Sequence, residues 1–183
     1  MDIGPKSRAV TGPCPHVARL LVLMGVSGCG KSSVGAALAR RLGAVYIDAD
    51  ELHPAANIAK MAGGEPLIDD DRWPWLALVG STLATARTAT IVGCSALKRE
   101  YRTRIVAAAG APVTFIHLAG SRSLIEARLG ARRGHFMPKA LLDSQFATLE
   151  PPEAGEDALT VDIEQPLEAV VATIADALQE ARP

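Results

Sequence analysis

The string GVSGCGKSS at residues 25–33 sets three glycines, a lysine and three serines between an apolar run, LLVLM, and a helical one, VGAALARRLG. Gly25, Val26, Ser27, Gly28, Cys29, Gly30, Lys31 and Ser32 satisfy G-x-x-x-x-G-K-[ST] in full, after a strand pattern and before a helix pattern, the context this phosphate-holding loop requires. The glycines let the backbone curl until successive amides point inward. A helix N-terminus adds partial positive charge, Lys31 reaches the β and γ phosphates, and Ser32 ligates magnesium, with Ser33 in the same turn. The chemistry on offer is binding of a nucleoside triphosphate. Cys29 reads as a small residue fitted into a crowded loop rather than a redox thiol, although a helix N-terminus lowers a thiol pKa.

A phosphate loop alone does not separate switch, motor and kinase. The chain has no N-K-x-D guanine-reading motif. Behind the loop's helix comes AVYIDADELHPAAN, in which Asp48 and Asp50 stand two apart at a strand end and so face the same side. The pair can divide the work of phosphoryl transfer: Asp48 holds magnesium through water, and Asp50 accepts the proton of an attacking hydroxyl. With a helix starting near residue 51, His53 and Asn57 fall four apart on one face beside Asp50, a set suited to a polyhydroxylated ligand.

Cationic groups follow. In GGEPLIDDDRWPWL, Arg72 offers a planar fork to a substrate carboxylate or to a neighbouring acid, while Asp69, Asp70 and Asp71 favour the start of a helix. After TIVGC, Ser95 stands at a strand's carboxyl end with Lys98 and Arg102 four apart on the next helix, where open α/β sheets collect ligands. Their charge points to an acid as substrate. Farther on, GSRSLIEARLGARRGHF carries Arg122, Arg128, Arg132 and Arg133. Arg128 and Arg132 share a helical face and can neutralise a transferring phosphoryl group, and Gly130 and Gly134 let the segment close over it.

These residues need a frame that brings strand ends together. Short, nearly continuous apolar runs recur at 20–24, 44–47, 90–94, 112–118 and 159–163, the pattern of strands buried on both faces. Helical spacing fills 32–42, about 74–88, 97–109, 122–133, about 138–148 and 167–181, with Gly43 as a stop and Pro138 and Pro166 as starts. Alternating strand and helix predicts a parallel sheet covered by helices on both sides.

Bulk properties narrow the field. The 183 residues, 49% hydrophobic and with a net charge of -1, suffice for one domain over residues 19–183 with a real core, preceded by a loose tail at 1–18. The balance of 19 basic and 20 acidic side chains gives no drive toward nucleic acid or a membrane surface. No apolar run reaches the ~20 residues of a spanning helix. Residues 1–18 lack an apolar secretory core, and Cys14, Cys29 and Cys94 fit neither a zinc site nor a disulfide framework, so a cytoplasmic setting is expected.

Taken together, GVSGCGKSS, YIDADELHPAANIAKMAGGEPLIDDDRWPWL, CSALKREYR, FIHLAGSRSLIEARLGARRGHFMP, LLDSQFATLEPP and VDIEQPLEAVV resemble the gluconokinases of the small P-loop type, relatives of shikimate and nucleoside monophosphate kinases. The resemblance spans residues 20 to about 174. It implies an α/β three-layer P-loop kinase fold with a five-stranded parallel sheet in the order 2-3-1-4-5 and a helical lid at about 122–140. It implies transfer of the ATP γ-phosphoryl group to the 6-hydroxyl of D-gluconate, magnesium as the ion, and a homodimer. Carried onto this chain, Asp50, His53, Arg72, Lys98 and Arg102 face gluconate, joined by His135 and Gln145. Arg128 and Arg132 come from the lid, and Gln165 and Pro166 lie beside adenine. Three rivals stand against this reading. A shikimate kinase would carry a run of glycines where this chain has CSALK. A nucleoside monophosphate kinase would carry an arginine within HPAANIAKM. A non-catalytic sensor would have no use for Asp50 and Arg128 together.

Overall fold

β1 (Leu20–Met24) buries all five of its residues, and its side chains alternate between two cores. Leu21 and Leu23 enter one apolar cluster, while Leu20, Val22 and Met24 enter the other. That division identifies β1 as the centre of a sheet covered on both faces. The computed structural model, which describes residues 19–131 and 139–180, places β1 between β3 (Thr90–Gly93) and β4 (Thr114–Ala119). β2 (Val45–Asp48) and β5 (Ala158–Asp162) form the two edges, so the parallel sheet runs β2-β3-β1-β4-β5. This is the 2-3-1-4-5 order that the resemblance implied.

α1 (Lys31–Leu42) and α7 (Leu167–Glu180) pack together on one face, and α3 (Asp69–Ala84) packs with α4 (Arg99–Ala109) on the other. α2 (Ala55–Ala62) lies between β2 and α3 in the chain, α5 (Arg122–Ala131) follows β4, and α6 (Lys139–Thr148) precedes β5. Among the described residues no helix is long and apolar enough to cross a membrane.

Four local expectations change. β2 is an edge strand whose first residue, Val45, is 50% exposed, so it is not buried on both faces. Asp50 lies past the strand's end, in a 3-10 turn (Ala49–Leu52) whose amide at Asp50 donates to the Asp48 carboxylate at 3.1 Å. The α-helix after it starts at Ala55, beyond Pro54, so His53 and Asn57 do not share a helical face. α3 begins at Asp69 rather than near 74. The Asp71 carboxylate reaches back to accept from the Ile68 N–H at 2.8 Å, three acids favour the first turn, and Pro74 is taken inside the helix. Residues 1–18, with Cys14, and residues 132–138, with Arg132, Arg133, Gly134, His135 and Pro138, lie outside the described residues.

Candidate active site

The phosphate loop leaves β1 and enters α1 through three glycines at positive φ: Gly25 (139°), Gly28 (84°) and Gly30 (101°). Space is as tight as the dihedrals. A Cβ at Gly28 would lie 2.9 Å from Leu129 on α5, and one at Gly25 would press on the Leu118 carbonyl at 3.0 Å. The loop is therefore closely packed backbone, its curl fixed by N–H groups of Gly25, Ser27 and Cys29 that donate to the Ser95 carbonyl, the Gln145 side chain and the Val26 carbonyl. Lys31 Nζ donates to the Gly25 and Val26 carbonyls at 3.1 and 3.3 Å, holding its charge over the loop. Cys29 is fully buried in the core cluster, the packing role expected of it.

At the start of α1 the Ser32 hydroxyl donates to Asp48 Oδ2 at 3.2 Å. A hydroxyl and a carboxylate oxygen meeting at the mouth of a phosphate loop form a donor set that suits a hard divalent cation. Asp48 also caps the 3-10 turn, so one carboxylate both offers an oxygen to a cation and fixes the backbone that carries Asp50. Asp50 itself is exposed at the rim.

Beside the phosphate loop a cleft of about 380 Å³ is lined by Gly30, Ser33, Arg128, Ile163, Gln165 and Val170, among others. Arg128 spans it, donating to the Ile163 carbonyl at 2.7 Å and to the Cys29 carbonyl at 3.4 Å. Gln165 follows β5 at this cleft, and the Pro166 carbonyl accepts from Ala169 and Val170 as α7 begins.

A second polar cluster is built around Asp69, whose carboxylate is met by three groups. Lys98 Nζ donates at 2.6 Å, Arg72 Nη1 donates at 3.1 Å, and the Tyr101 hydroxyl also donates. Lys98 and Arg72 both lie over the Tyr101 ring, 5.2 and 5.8 Å from its centroid. Lys98 first and Tyr101 next hold the Asp69 carboxyl below the usual carboxylate range, and Asp69 in turn raises the Lys98 pKa. Two cations thus converge on one place with a single internal anion between them.

His53 links this cluster to Asp50. Its ring stacks on Trp75 at 4.2 Å and 12°, and Trp75 Nε1 donates to the Ala49 carbonyl at 2.7 Å. Burial lowers the His53 pKa, Asp50 raises it and Arg72 lowers it, so the imidazole lies within the field of both. Asn57 is buried, its amide donating to the Asp71 carbonyl at 2.8 Å and standing 3.3 Å from His53 Nδ1. Asn57 pins α2 to α3 and orients His53 rather than presenting itself to a ligand.

Two further expected ligand contacts are corrected. Arg102 does not face the pocket: it is 2% exposed, and its guanidinium is committed to Glu156 and to three main-chain carbonyls. Lys98 lies ahead of α4 in extended conformation, so the two residues do not share a helix face. Gln145, assigned to the sugar-acid pocket, clasps the phosphate loop instead, accepting from the Ser27 N–H at 2.7 Å and donating to its hydroxyl at 3.1 Å. Ser95 offers its carbonyl to the Gly25 N–H at 3.2 Å, joining the loop that carries Lys98 to the phosphate loop.

Sequence reasoning passed over Tyr101 and Asp69 as pocket residues and Glu156 altogether. Tyr101 stands three residues from Lys98, a spacing that could have drawn notice. Glu156 lies in an acidic loop and carries no local signal.

Comparison with known proteins agrees with this geometry. A family profile described as "AAA domain" matches residues 20–152. The chain is 47% identical over 171 residues to the thermoresistant gluconokinase of Escherichia coli K12, covering 91% of this chain and 97% of that one. It is 46% identical to a gluconokinase of Gluconobacter oxydans, covering 80% and 84%. A crystal structure of a gluconokinase from Sinorhizobium meliloti superposes with a TM-score of 0.78 at 45% identity, covering 90% and 98%. A shikimate kinase from Aquifex aeolicus shares the fold alone, with a TM-score of 0.58 at 19% identity, covering 87% and 96%. The phosphate loop, the parallel sheet and relatives matched over nearly their full length lead to one conclusion: the chain belongs to the gluconokinase family of P-loop kinases.

Proposed function

We propose that this protein transfers the γ-phosphoryl group of ATP to the 6-hydroxyl of D-gluconate, giving 6-phospho-D-gluconate and ADP. The observation that carries the reading is the convergence of Lys98 and Arg72 on one anionic position beside His53 and Asp50, at the same end of the sheet as the phosphate loop. An acceptor with a carboxylate at one end and a primary hydroxyl at the other fits between such groups. The curated relatives named above support the same acceptor.

In this mechanism the loop amides and Lys31 hold the triphosphate. Asp50, exposed at the rim, accepts the proton of the attacking hydroxyl as the new P–O bond forms. His53, stacked on Trp75 and oriented by Asn57, donates or accepts for a sugar hydroxyl, while Lys98 and Arg72 take the carboxylate and fix which end of the acid points inward. Arg128 reaches across the nucleotide cleft from α5 and adds positive charge there. Ser32 and Asp48 would hold magnesium, which when bound neutralises part of the phosphate charge. Arg132 and His135 belong to the same proposal on family grounds, as do a homodimer and a cytoplasmic setting; the buried free thiols of Cys29 and Cys94 suit a reducing compartment.

Product analysis tests the reading. Phosphorus–proton correlation spectra of the product from gluconate and ATP are expected to show a single ester on the terminal CH2. An ester on a secondary hydroxyl, or free phosphate without ester, would contradict it.

A further inference from the structure

The loop that carries Ser95 and Lys98 has an uncommon backbone. Ala96 has φ 43°, which makes it the one non-glycine residue at positive φ among the described residues, and it is fully buried. An L-residue stays there only where its surroundings over-determine it. Arg102 supplies those surroundings. Its Nη1 donates to the carbonyls of Ala96 at 3.3 Å, Leu97 at 3.4 Å and Glu150 at 3.0 Å. Its Nε and Nη2 donate to the two carboxylate oxygens of Glu156 at 2.6 and 2.8 Å.

The loop at 150–156 makes further contacts with the same stretch. The Glu150 N–H donates to the Leu97 carbonyl at 2.8 Å, and its carboxylate accepts from the Arg99 N–H at 2.6 Å as α4 begins. From the opposite side, the Gly25 N–H donates to the Ser95 carbonyl. Residues 95–98 therefore hang between the phosphate loop and the 150–156 loop, with Arg102 as the tie. A buried ion pair adds little net stability over apolar packing of the same volume, so stability alone does not account for a fork aimed at main-chain oxygens of a strained turn. Its geometry does: it fixes where Lys98 leaves the loop.

We propose that Arg102 and Glu156 are positioning residues for the acceptor, setting the Ser95–Lys98 loop so that Lys98 meets the carboxylate of the sugar acid. The inference rests on the gluconate reading above. Depressed protonation of Glu156, held to about 2 chiefly by Arg102, keeps the pair ionised through the working pH range.

The test compares Glu156→Gln, Glu150→Ala, Lys98→Ala and the Lys98→Ala/Glu156→Gln double variant with wild type. KM for gluconate, kcat, and the Kd for ATP are measured for each. Glu156→Gln is expected to raise KM for gluconate about tenfold while the Kd for ATP stays within about twofold. In the Lys98→Ala background the same change should add nothing, because its effect runs through Lys98. Additive effects, parallel loss of ATP and gluconate binding, or an unchanged KM in a folded Glu156→Gln protein would overturn the proposal. If Glu156→Gln does not fold, Glu150→Ala, an exposed side chain on the same loop, is read by the same split. Failure of wild type to use gluconate would sink the acceptor reading separately, and the KM split would then be measured with whichever acid is turned over.

Discussion

At the scale of single residues, the division of labour between Asp48 and Asp50 makes the sharpest prediction. Asp48 is tied to Ser32 and to the 3-10 turn, whereas Asp50 is free at the rim. Asp50→Asn is expected to leave ATP affinity unchanged and to lower kcat by about 10²-fold or more, the scale of a lost general base. Isothermal titration with ATP beside a coupled ADP assay checks both halves, and normal turnover would remove Asp50 from the role. Asp69→Asn should loosen Lys98 and Arg72 and raise KM for gluconate several-fold with little effect on ATP, read in the same assay. Much of this site was legible in sequence because the phosphate loop is local: eight consecutive residues carry its glycines, its cation and its hydroxyl. Arg102 was misread because helical spacing says which residues share a face but not whether that face turns inward. Its partner Glu156 lies 54 residues away, and no local pattern reports a pairing of that range.

At the scale of elements, the tie between α4 and the 150–156 loop has a signature in pH. The Glu156 carboxyl is held at about 2, below its ordinary 4.5, mainly by the Arg102 hydrogen bonds. The unfolded chain therefore takes up a proton before the folded one does. The stability contributed by this pair is fully present above pH 4.5 and is lost as pH falls toward 2. Thermal melts between pH 3 and 6 should show wild type losing stability more steeply on acidification than Glu156→Gln; parallel slopes would contradict the assignment. Strands were read to within one or two residues because buried runs in a parallel sheet are nearly all apolar. Helix starts at α2, α3 and α4 were read less well. Pro54 delays one, the Asp71 reach-back advances another, and Lys98 is drawn out of the third by Asp69.

At the scale of the whole molecule, the two faces of the sheet support two tasks at its carboxyl end. The α1–α7 face carries the cleft beside Arg128, proposed for the nucleotide, and the α3–α4 face carries the Asp69 cluster, proposed for the acid, with the phosphate loop between them. Nucleotide binding should therefore stabilise the fold. ATP with magnesium at 100 times its Kd is expected to add about 2.7 kcal/mol, seen as a rise in Tm, and Lys31→Ala should lose most of it. The acceptor is tested most directly by ADP release with ATP and magnesium across gluconate, shikimate, glucose, glycerate and AMP, against a blank without acceptor. Release is expected to depend on gluconate and to stay near the blank for glucose, which lacks the carboxylate proposed to meet Lys98 and Arg72. Release with another acceptor but not with gluconate, or ATP binding with no release at all, would contradict it.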